Sequence, residues 1–405
     1  MESREVLVLG NGRSGAAAAA LLRREQWRVT VLDGEERFPD FADGRRPCFC
    51  VASPGIPLTH PWQVRARALG IPVVSEMQLG VDRFLAAGGK ALAVTGSKGK
   101  SSVVKLVADA INRAGGHAVA CGNYGTPVCA CVDFAAASRG AWAVVEVSSF
   151  QMETTGTADV PDVGSPRFAA AAILNLQDDH LDRHGSREAY HALKRRLLDY
   201  ADRAFDFSPA ADAPPAVAPE DRLLAGSYFD NAVLRVNGRA GVALLRTAGL
   251  DDERIAAGFA AFEPLPHRMQ TVAEIDGVRY IDDSKATSLA ALVAGVGMVG
   301  VSVRLIAGGL PKGDNPKIAI SVLSESVKKV YLIGASADQF HAAWKDVVAC
   351  EVCGTMSEAV RRAKREARSG DTVLLSPGTA SFDQFKSYGE RGEVFAACVK
   401  EGLER

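Results

Sequence analysis

Short apolar runs alternate with helically spaced stretches along the whole chain. Val6-Leu7-Val8-Leu9, Val29-Thr30-Val31-Leu32, Ala91 to Val94, Ala141 to Val147 and Ala169 to Asn175 read as strands. So do Val278 to Ile281, Val303 to Ala307, Lys329 to Ile333 and Thr372 to Leu375. Their apolar residues are nearly continuous, which is the pattern of parallel strands covered on both faces. Ala16 to Leu22 is an alanine-rich helix. Ser357 to Arg368 has helical spacing and a basic outer face, with a stop at Gly370. That basic face reads as the solvated side of a helix. Strand and helix alternating in this way predict an α/β fold with parallel sheets.

Breaks in the pattern set the organisation. Ala87-Gly88-Gly89-Lys90 reads as a linker, and Glu263-Pro264-Leu265-Pro266 as a second break. Ser208 to Pro219, rich in Pro, Ala and Asp, reads as a loop. The expected domains are residues 1–89, 90–265 and 266–405.

Composition then narrows the class. At 405 residues and 47% hydrophobic, the chain can bury several cores. A formal net charge of −1 gives no global field to gather nucleic acid or an anionic membrane. No apolar run reaches bilayer-spanning length, and the first strand begins with no signal-peptide core before it. The expectation is a cytoplasmic chain, monomeric, with small-molecule substrates and neither nucleic-acid nor membrane partners. Its eight cysteines are expected to be reduced. Cys350-Glu351-Val352-Cys353 has no second pair at zinc spacing.

Two glycine turns carry candidate chemistry. Ala93-Val94-Thr95-Gly96-Ser97-Lys98-Gly99-Lys100-Ser101-Ser102 reads as strand, turn and helix start. Backbone N–H groups of such a turn, with the helix dipole behind them, form an anion site. Lys100 can reach a terminal phosphate and Ser101 can offer a hydroxyl to Mg²⁺. Two residues separate the glycines, against four in the general phosphate loop. The second turn, Gly10-Asn11-Gly12-Arg13-Ser14-Gly15, follows the first strand, and Asp33 ends the next one. This fits a dinucleotide fingerprint and leaves an NAD-dependent oxidoreductase open; any nucleoside diphosphate satisfies the same physics. Glu146 ends a strand, where it can join Ser101 on Mg²⁺. His180, among Asp178, Asp179 and Asp182, is a candidate second metal ligand.

These pieces together resemble the Mur ligase family, the ATP-dependent amide ligases that build the peptide of bacterial cell-wall precursors. Thr95 to Ser101 resembles its shortened phosphate loop, and Asp179-His180-Leu181-Asp182-Arg183 its histidine loop. Tyr190-His191-Ala192-Leu193-Lys194 resembles the segment whose lysine is carbamylated by CO₂. Further segments resemble the branch of the family that adds D-glutamate. They are Ala52 to Ile56, Gly122 to Pro127, Glu146 to Glu153, Leu265 to Arg268, Asp282 to Thr287, Ser376 to Phe385 and Tyr388 to Gly392.

The resemblance implies three domains: a Rossmann-like first, a P-loop ATPase-like parallel sheet in the centre and a Rossmann-like third. It implies that UDP-N-acetylmuramoyl-L-alanine, ATP and D-glutamate are the substrates and that the reaction passes through an acyl phosphate. Catalytic roles fall to Lys100, His180 and Lys194. ATP is implied at Gly96, Ser97, Lys98, Gly99, Lys100, Ser101, Ser102, Asn237, Arg268 and Asp283. The sugar nucleotide is implied at Gly12, Arg13, Ser14, Gly15, Asp33, Ser53, Pro54, Gly55, Asn123 and Ser148. D-Glutamate is implied at Lys312, Thr287, Ser381, Phe382 and Tyr388. Two Mg²⁺ sites are implied, one at Ser101 and Glu146, the other at His180 and a carbamylated Lys194.

The chain also departs from the family pattern. Val236-Asn237-Gly238-Arg239-Ala240 keeps one of two adenine-side asparagines, Ser288 stands where Asn is usual, and Phe382 replaces a common Leu. Phe205 to Asp230 is short for a complete central domain. Asp314-Asn315-Pro316-Lys317 is similar to a motif of the sibling branch that adds a diamino acid. Because it directly follows Gly308-Gly309-Leu310-Pro311-Lys312-Gly313, it reads as a coincidence, with the sibling ligase as the alternative.

Overall fold

The computed structural model describes residues 4–41, 46–177, 179–208 and 218–401. Asp178 and most of the 208–219 loop lie outside the described residues. The chain divides into two compact units: Met1–Asp230 with Leu234–Phe262, and Asn231–Val233 with Glu263–Arg405.

The first unit holds two all-parallel sheets. One contains β1 (Glu5–Leu9), β2 (Arg28–Leu32), β3 (Phe49–Ala52) and β4 (Val73–Ser75), in the order β2-β1-β3-β4. The other contains β5 (Lys90–Thr95), β6 (Ala118–Gly122), β7 (Trp142–Glu146), β8 (Ala170–Ile173) and β9 (Ala204–Asp206), in the order β6-β7-β5-β8-β9. The second unit holds a mixed sheet of β10 (Gln270–Ile275), β11 (Val278–Asp282), β12 (Val303–Gly308), β13 (Val327–Ile333), β14 (Cys350–Gly354) and β15 (Thr372–Leu375). Its order is β10-β11-β15-β12-β13-β14, and only the β10–β11 pair is antiparallel.

β5 shows why the apolar runs read as they do. Leu92 and Val94 enter one core with Val103, Leu106 and Leu244; Ala91 and Ala93 enter another with Met77, Phe84 and Val145. Neighbours on a strand face opposite ways, so a strand covered on both faces needs an unbroken apolar run. The same alternation separates the Cys350 and Cys353 side chains on β14. Each packs against a different core of the second unit, which is incompatible with a shared metal knuckle.

The alanine-rich helix extends beyond its expected bounds, over Arg13–Arg24. The helix expected to run to Arg368 spans Met356–Glu366 and stops because Ala367 turns extended (φ −64°, ψ 148°). Among the described residues no helix is long and apolar enough to cross a membrane.

Strand order places the singled-out residues. Parallel sheets bind ligands outside the carboxyl ends of their strands. In the first sheet those ends carry Asp33, the Gly10–Gly15 turn and Ser53 on the adjacent strands β2, β1 and β3. In the second, β7, β5 and β8 deliver Glu146, the phosphate loop and Asn175. In the third, β11, β15 and β12 deliver Asp283, Ser381 and Lys312.

Candidate active site

The phosphate loop leaves the central strand of its sheet. Gly99 caps the helix Lys100–Arg113 in the left-handed region (φ 84°). A Cβ there would be strained, and it would also collide with the Asn237 side-chain amide, which packs on this turn. Asn237 therefore meets the loop itself. Asn175 holds the outer side: its Oδ1 accepts from Lys98 N (2.9 Å) and its Nδ2 donates to Lys98 O (3.0 Å). Ser97 Oγ accepts from Gln177 N (2.9 Å) and lies 3.0 Å from the Tyr190 hydroxyl. Lys100 Nζ donates to the carbonyls of Gly96 (2.8 Å) and Ser97 (3.1 Å), inside the turn. Ser101 and Ser102 occupy the first helical turn behind it.

The register Val94↔Glu146 puts the Glu146 carboxylate beside this loop. Glu146 is 2% exposed, and its Oε1 accepts from Asn123 Nδ2 at 2.7 Å. Its Oε2 is buried and has no hydrogen-bond partner. A buried anionic oxygen without a donor is strongly disfavoured unless something positive meets it. A divalent cation fits that need, and the hard oxygens of Glu146 and Ser101 suit Mg²⁺. Among the described residues no three His, Cys, Asp or Glu side chains converge as a metal cage. Phosphate and water would have to supply the remaining ligands, as is usual for Mg²⁺.

Lys194 lies on the helix Arg187–Arg195, only 2% exposed, with Nζ donating to Gly96 O at 2.9 Å. Burial, reinforced by the Lys100 charge, lowers its pKa to about 7. Asp179 and Glu146 act in the opposite direction. The Lys194 ammonium and the His180 ring both face Tyr190, at 4.7 and 6.4 Å from its ring centroid. His180 is in the left-handed region (φ 53°), and its ring rests on Phe150 at 4.7 Å. Asp179 lies between Lys98 (3.6 Å) and His180 (3.8 Å).

In the first sheet, Gly15 allows the helix to close on the β1 turn, because a Cβ there would collide with the Gly10 carbonyl. Ser53 Oγ donates to that same carbonyl at 2.9 Å. The exposed Asp33 caps its own turn through Gly34 N (3.0 Å). Arg13 Nη2 donates to Gly125 O (2.8 Å), two residues beyond Asn123. The first glycine turn and the Glu146 corner are therefore joined within the first unit by the Gly122–Pro127 segment. Ser148 caps a short helix by exchanging bonds with Gln151. An open cavity of about 760 Å³ adjoins Asp33, lined by residues that include Glu36, Arg37, Phe38 and Trp62.

The second unit gathers the remaining candidates. Arg391, 0% exposed, donates to Ser284 Oγ (2.9 Å), Ser284 O (2.8 Å), Thr379 O (3.2 Å) and Ala380 O (3.2 Å). It thereby ties the turn after β11, which carries Asp283, to the loop carrying Ser381. Leu310 and Ala380 exchange backbone bonds, which holds the Lys312 loop beside the same segment. Phe382 is 70% exposed, and Lys285 Nζ lies 3.9 Å from the Tyr388 ring centroid. Gly378 N donates to Ala286 O (2.9 Å), next to Thr287. His267 Nδ1 meets Asp282 at 2.7 Å, and Arg268 follows in sequence. Asn315 caps the turn Pro316–Ala319 through Lys317 N (3.1 Å), and Asp314 accepts from Leu289 N (3.4 Å). These local contacts give the Asp-Asn-Pro-Lys tetrapeptide a structural use.

Asp283 is buried and accepts from Ser376 Oγ at 2.9 Å; burial raises its pKa to about 7. Between pH about 4 and 7 the native state keeps a proton that the unfolded chain has released. Its contribution is therefore full below pH about 4 and is lost as pH rises through 7. Asp283→Asn is expected to flatten the pH dependence of the urea midpoint across that window.

Asn175, Tyr190, Arg391 and the Arg183–Glu153 pair were not singled out as site residues by the sequence. Asn175 reaches the phosphate loop because β8 pairs beside β5, a register that the sequence does not show locally. The others act through contacts remote in sequence.

Phosphate cradles at strand ends, a buried carboxylate fit for Mg²⁺ and a lysine with lowered pKa define a nucleotide-dependent enzyme class. Family models agree: residues 94–207 match the Mur ligase middle domain and 267–378 the Mur ligase glutamate ligase domain. The UDP-N-acetylmuramoylalanine--D-glutamate ligase of Acidobacterium capsulatum is 35% identical over 98% of this chain and 96% of its own. The enzyme of the same name from Nitratidesulfovibrio vulgaris is 35% identical over 97% and 95%. The UDP-N-acetylmuramate-alanine ligase of Thermotoga maritima has a similar fold, with a TM-score of 0.56 at 14% identity over 97% of this chain and 98% of that one. The chain belongs to the Mur ligase family, a family that is ATP-dependent and generally uses Mg²⁺. With that membership, the oxidoreductase alternative for the first glycine turn falls.

Proposed function

We propose that the chain joins D-glutamate to UDP-N-acetylmuramoyl-L-alanine, with ATP hydrolysed to ADP and phosphate, in the making of peptidoglycan precursors. The observation that carries this reading is the phosphate cradle with the unpartnered Glu146 oxygen beside it, in a chain whose relatives bear that enzyme's name. The substrate's alanine carboxylate attacks the γ-phosphate, giving an acyl phosphate and ADP. The D-glutamate amine then attacks the acyl carbon, and phosphate leaves with the electron pair of the broken C–O bond.

Lys100 and the loop N–H groups stabilise charge gathering on the transferred group. Ser101 and Glu146 would hold one Mg²⁺, and His180 with a carbamylated Lys194 would hold a second. Bound Mg²⁺ supplies charge neutralisation for the phosphates. Gly12 to Gly15, Asp33, Ser53 to Gly55, Asn123 and Ser148 serve the sugar nucleotide. Asn237, Arg268 and Asp283 serve ATP. Lys312 pairs a D-glutamate carboxylate among Thr287, Ser381, Phe382 and Tyr388.

The domains assigned to sugar nucleotide, ATP and amino acid are residues 1–89, 90–265 and 266–405. A monomer in the cytoplasm is part of the proposal, in keeping with eight free thiols.

The test is phosphate release with the sugar nucleotide, ATP and a panel of amino acids. Release that depends on D-glutamate alone is expected. Release with a diamino acid, or with no amino acid needed, overturns the reading.

A further inference from the structure

One guanidinium touches two parts of the first unit that lie far apart in sequence. Arg183 forks onto Glu153 through Nε (2.9 Å) and Nη2 (2.6 Å). Nη2 also donates to the carbonyls of Pro54 (3.1 Å) and Ile56 (3.4 Å), in the loop after β3. The guanidinium carbon sits 4.2 Å from the Phe150 ring centroid, and His180 stacks on that same ring. His184, the next residue, fixes the segment further: Nε2 is 3.0 Å from Ser149 Oγ, and Nδ1 is 3.5 Å from Glu153 Oε1. At the far end of the path, Ser53 bonds the Gly10 carbonyl of the first glycine turn. Contact is therefore continuous from the first cradle, through Ser53–Ile56 and Arg183, to the His180 loop beside the second.

We propose that Arg183 is a positioning residue that couples the two cradles. Seating the sugar nucleotide in the first strengthens triphosphate binding in the second, and the reverse. The inference rests on the function proposed above. Arginine suits the role because its rigid fork can serve a carboxylate and two carbonyls at once, whereas a lysine presents a single point of charge. The pair is only 14% and 7% exposed, so solvent and salt screen it weakly. A shift of the 53–56 loop on ligand binding would be passed to the Phe150–His180 stack, because packed elements move together. Thermodynamic linkage makes any such coupling reciprocal. A purely structural role predicts lower stability but leaves the coupling factor intact.

The test is isothermal titration of the full chain with UDP-N-acetylmuramoyl-L-alanine, with and without a saturating non-hydrolysable ATP analogue and Mg²⁺. In the native protein the analogue is expected to tighten sugar-nucleotide binding about fivefold or more. In Arg183→Met each ligand alone should bind within about twofold of its native Kd, with the enhancement gone. Arg183→Lys should recover only part of it. If Arg183→Met does not fold, Arg183→Gln, which keeps a polar side chain too short to reach the Pro54 and Ile56 carbonyls from the same backbone, carries the same reading. Undiminished enhancement in the variants, or none in the native protein while each ligand binds alone, overturns the coupling. Failure of the native protein to bind either nucleotide overturns the proposed function, and the coupling with it.

Discussion

Lys100→Ala is expected to cut D-glutamate-dependent ADP release by about a hundred- to a thousandfold, the loss typical when one stabilising donor is removed from a developing anion. Its ammonium already lies inside the turn, donating to Gly96 O and Ser97 O. Those two carbonyls hold the charge at the phosphate loop before any ligand arrives, and a charge already in place is what makes such stabilisation effective. Lys100→Arg should fail nearly as badly, because a planar fork does not reproduce a compact ammonium at that point. The fold should survive, since the loop keeps its bonds to Asn175, and Gly99 keeps its packing against Asn237. A secondary effect distinguishes loss of charge from loss of shape. Lys100 helps to depress the Lys194 pKa. Removing it should raise that pKa, readable as an alkaline shift in amine reactivity. Turnover retained at native levels in Lys100→Ala refutes the loop assignment.

The candidate chemistry was legible where it is contiguous. Thr95 to Ser102 contains its own turn, cap and cation, so its function is written in consecutive residues. Glu146 was legible as the polar end of an apolar strand. Asn175, Tyr190 and Arg183 were not, because their roles come from register and packing. Asn175 meets Lys98 because β8 lies beside β5, and no local pattern carries that pairing.

The fold divides in a similar way. Strands β5, β7, β8 and β12 stand out because both faces are buried. β10 escaped because it is a half-exposed edge with no unbroken apolar run. Its turn was nevertheless readable: Asp276-Gly277 joins β10 to β11 with both residues at positive φ (51° and 74°), the Asp-Gly hairpin signal. β6 and β14 are short and interrupted by Cys and Gly, which blunts the strand pattern without preventing pairing.

Lys194→Ala is expected to lose activity by a factor of about a hundred or more, the scale seen when a ligand or proton-transfer group is removed from an active site. Partial recovery is expected in millimolar acetate or formate. The physical basis is the state of the amine. An ordinary lysine near pH 7.4 is neutral only about once in a thousand molecules. Lys194, buried and repelled by Lys100, has its pKa lowered to about 7, so the neutral form is abundant there. Only the neutral amine can attack CO₂. A C–N bond forms as one C=O π pair moves onto oxygen, one amine proton leaves to solvent, and the neutral amine becomes a carbamate anion. That anion would stand near the Gly96 carbonyl, where Nζ now lies, within electrostatic reach of Glu146. The exchange turns a buried positive charge, disfavoured beside Lys100, into a negative one that a divalent cation can meet. Two measurements bear on it. Activity of the native protein should fall when bicarbonate and CO₂ are stripped, and mass spectrometry under native conditions should find 44 Da on Lys194, the mass of one CO₂. A small carboxylate should restore Lys194→Ala and leave Lys100→Ala unmoved, because it replaces an anion and not a cation. Full activity in Lys194→Ala without any added carboxylate would remove the carbamate from the mechanism, while the phosphate cradle and its lysine would stand.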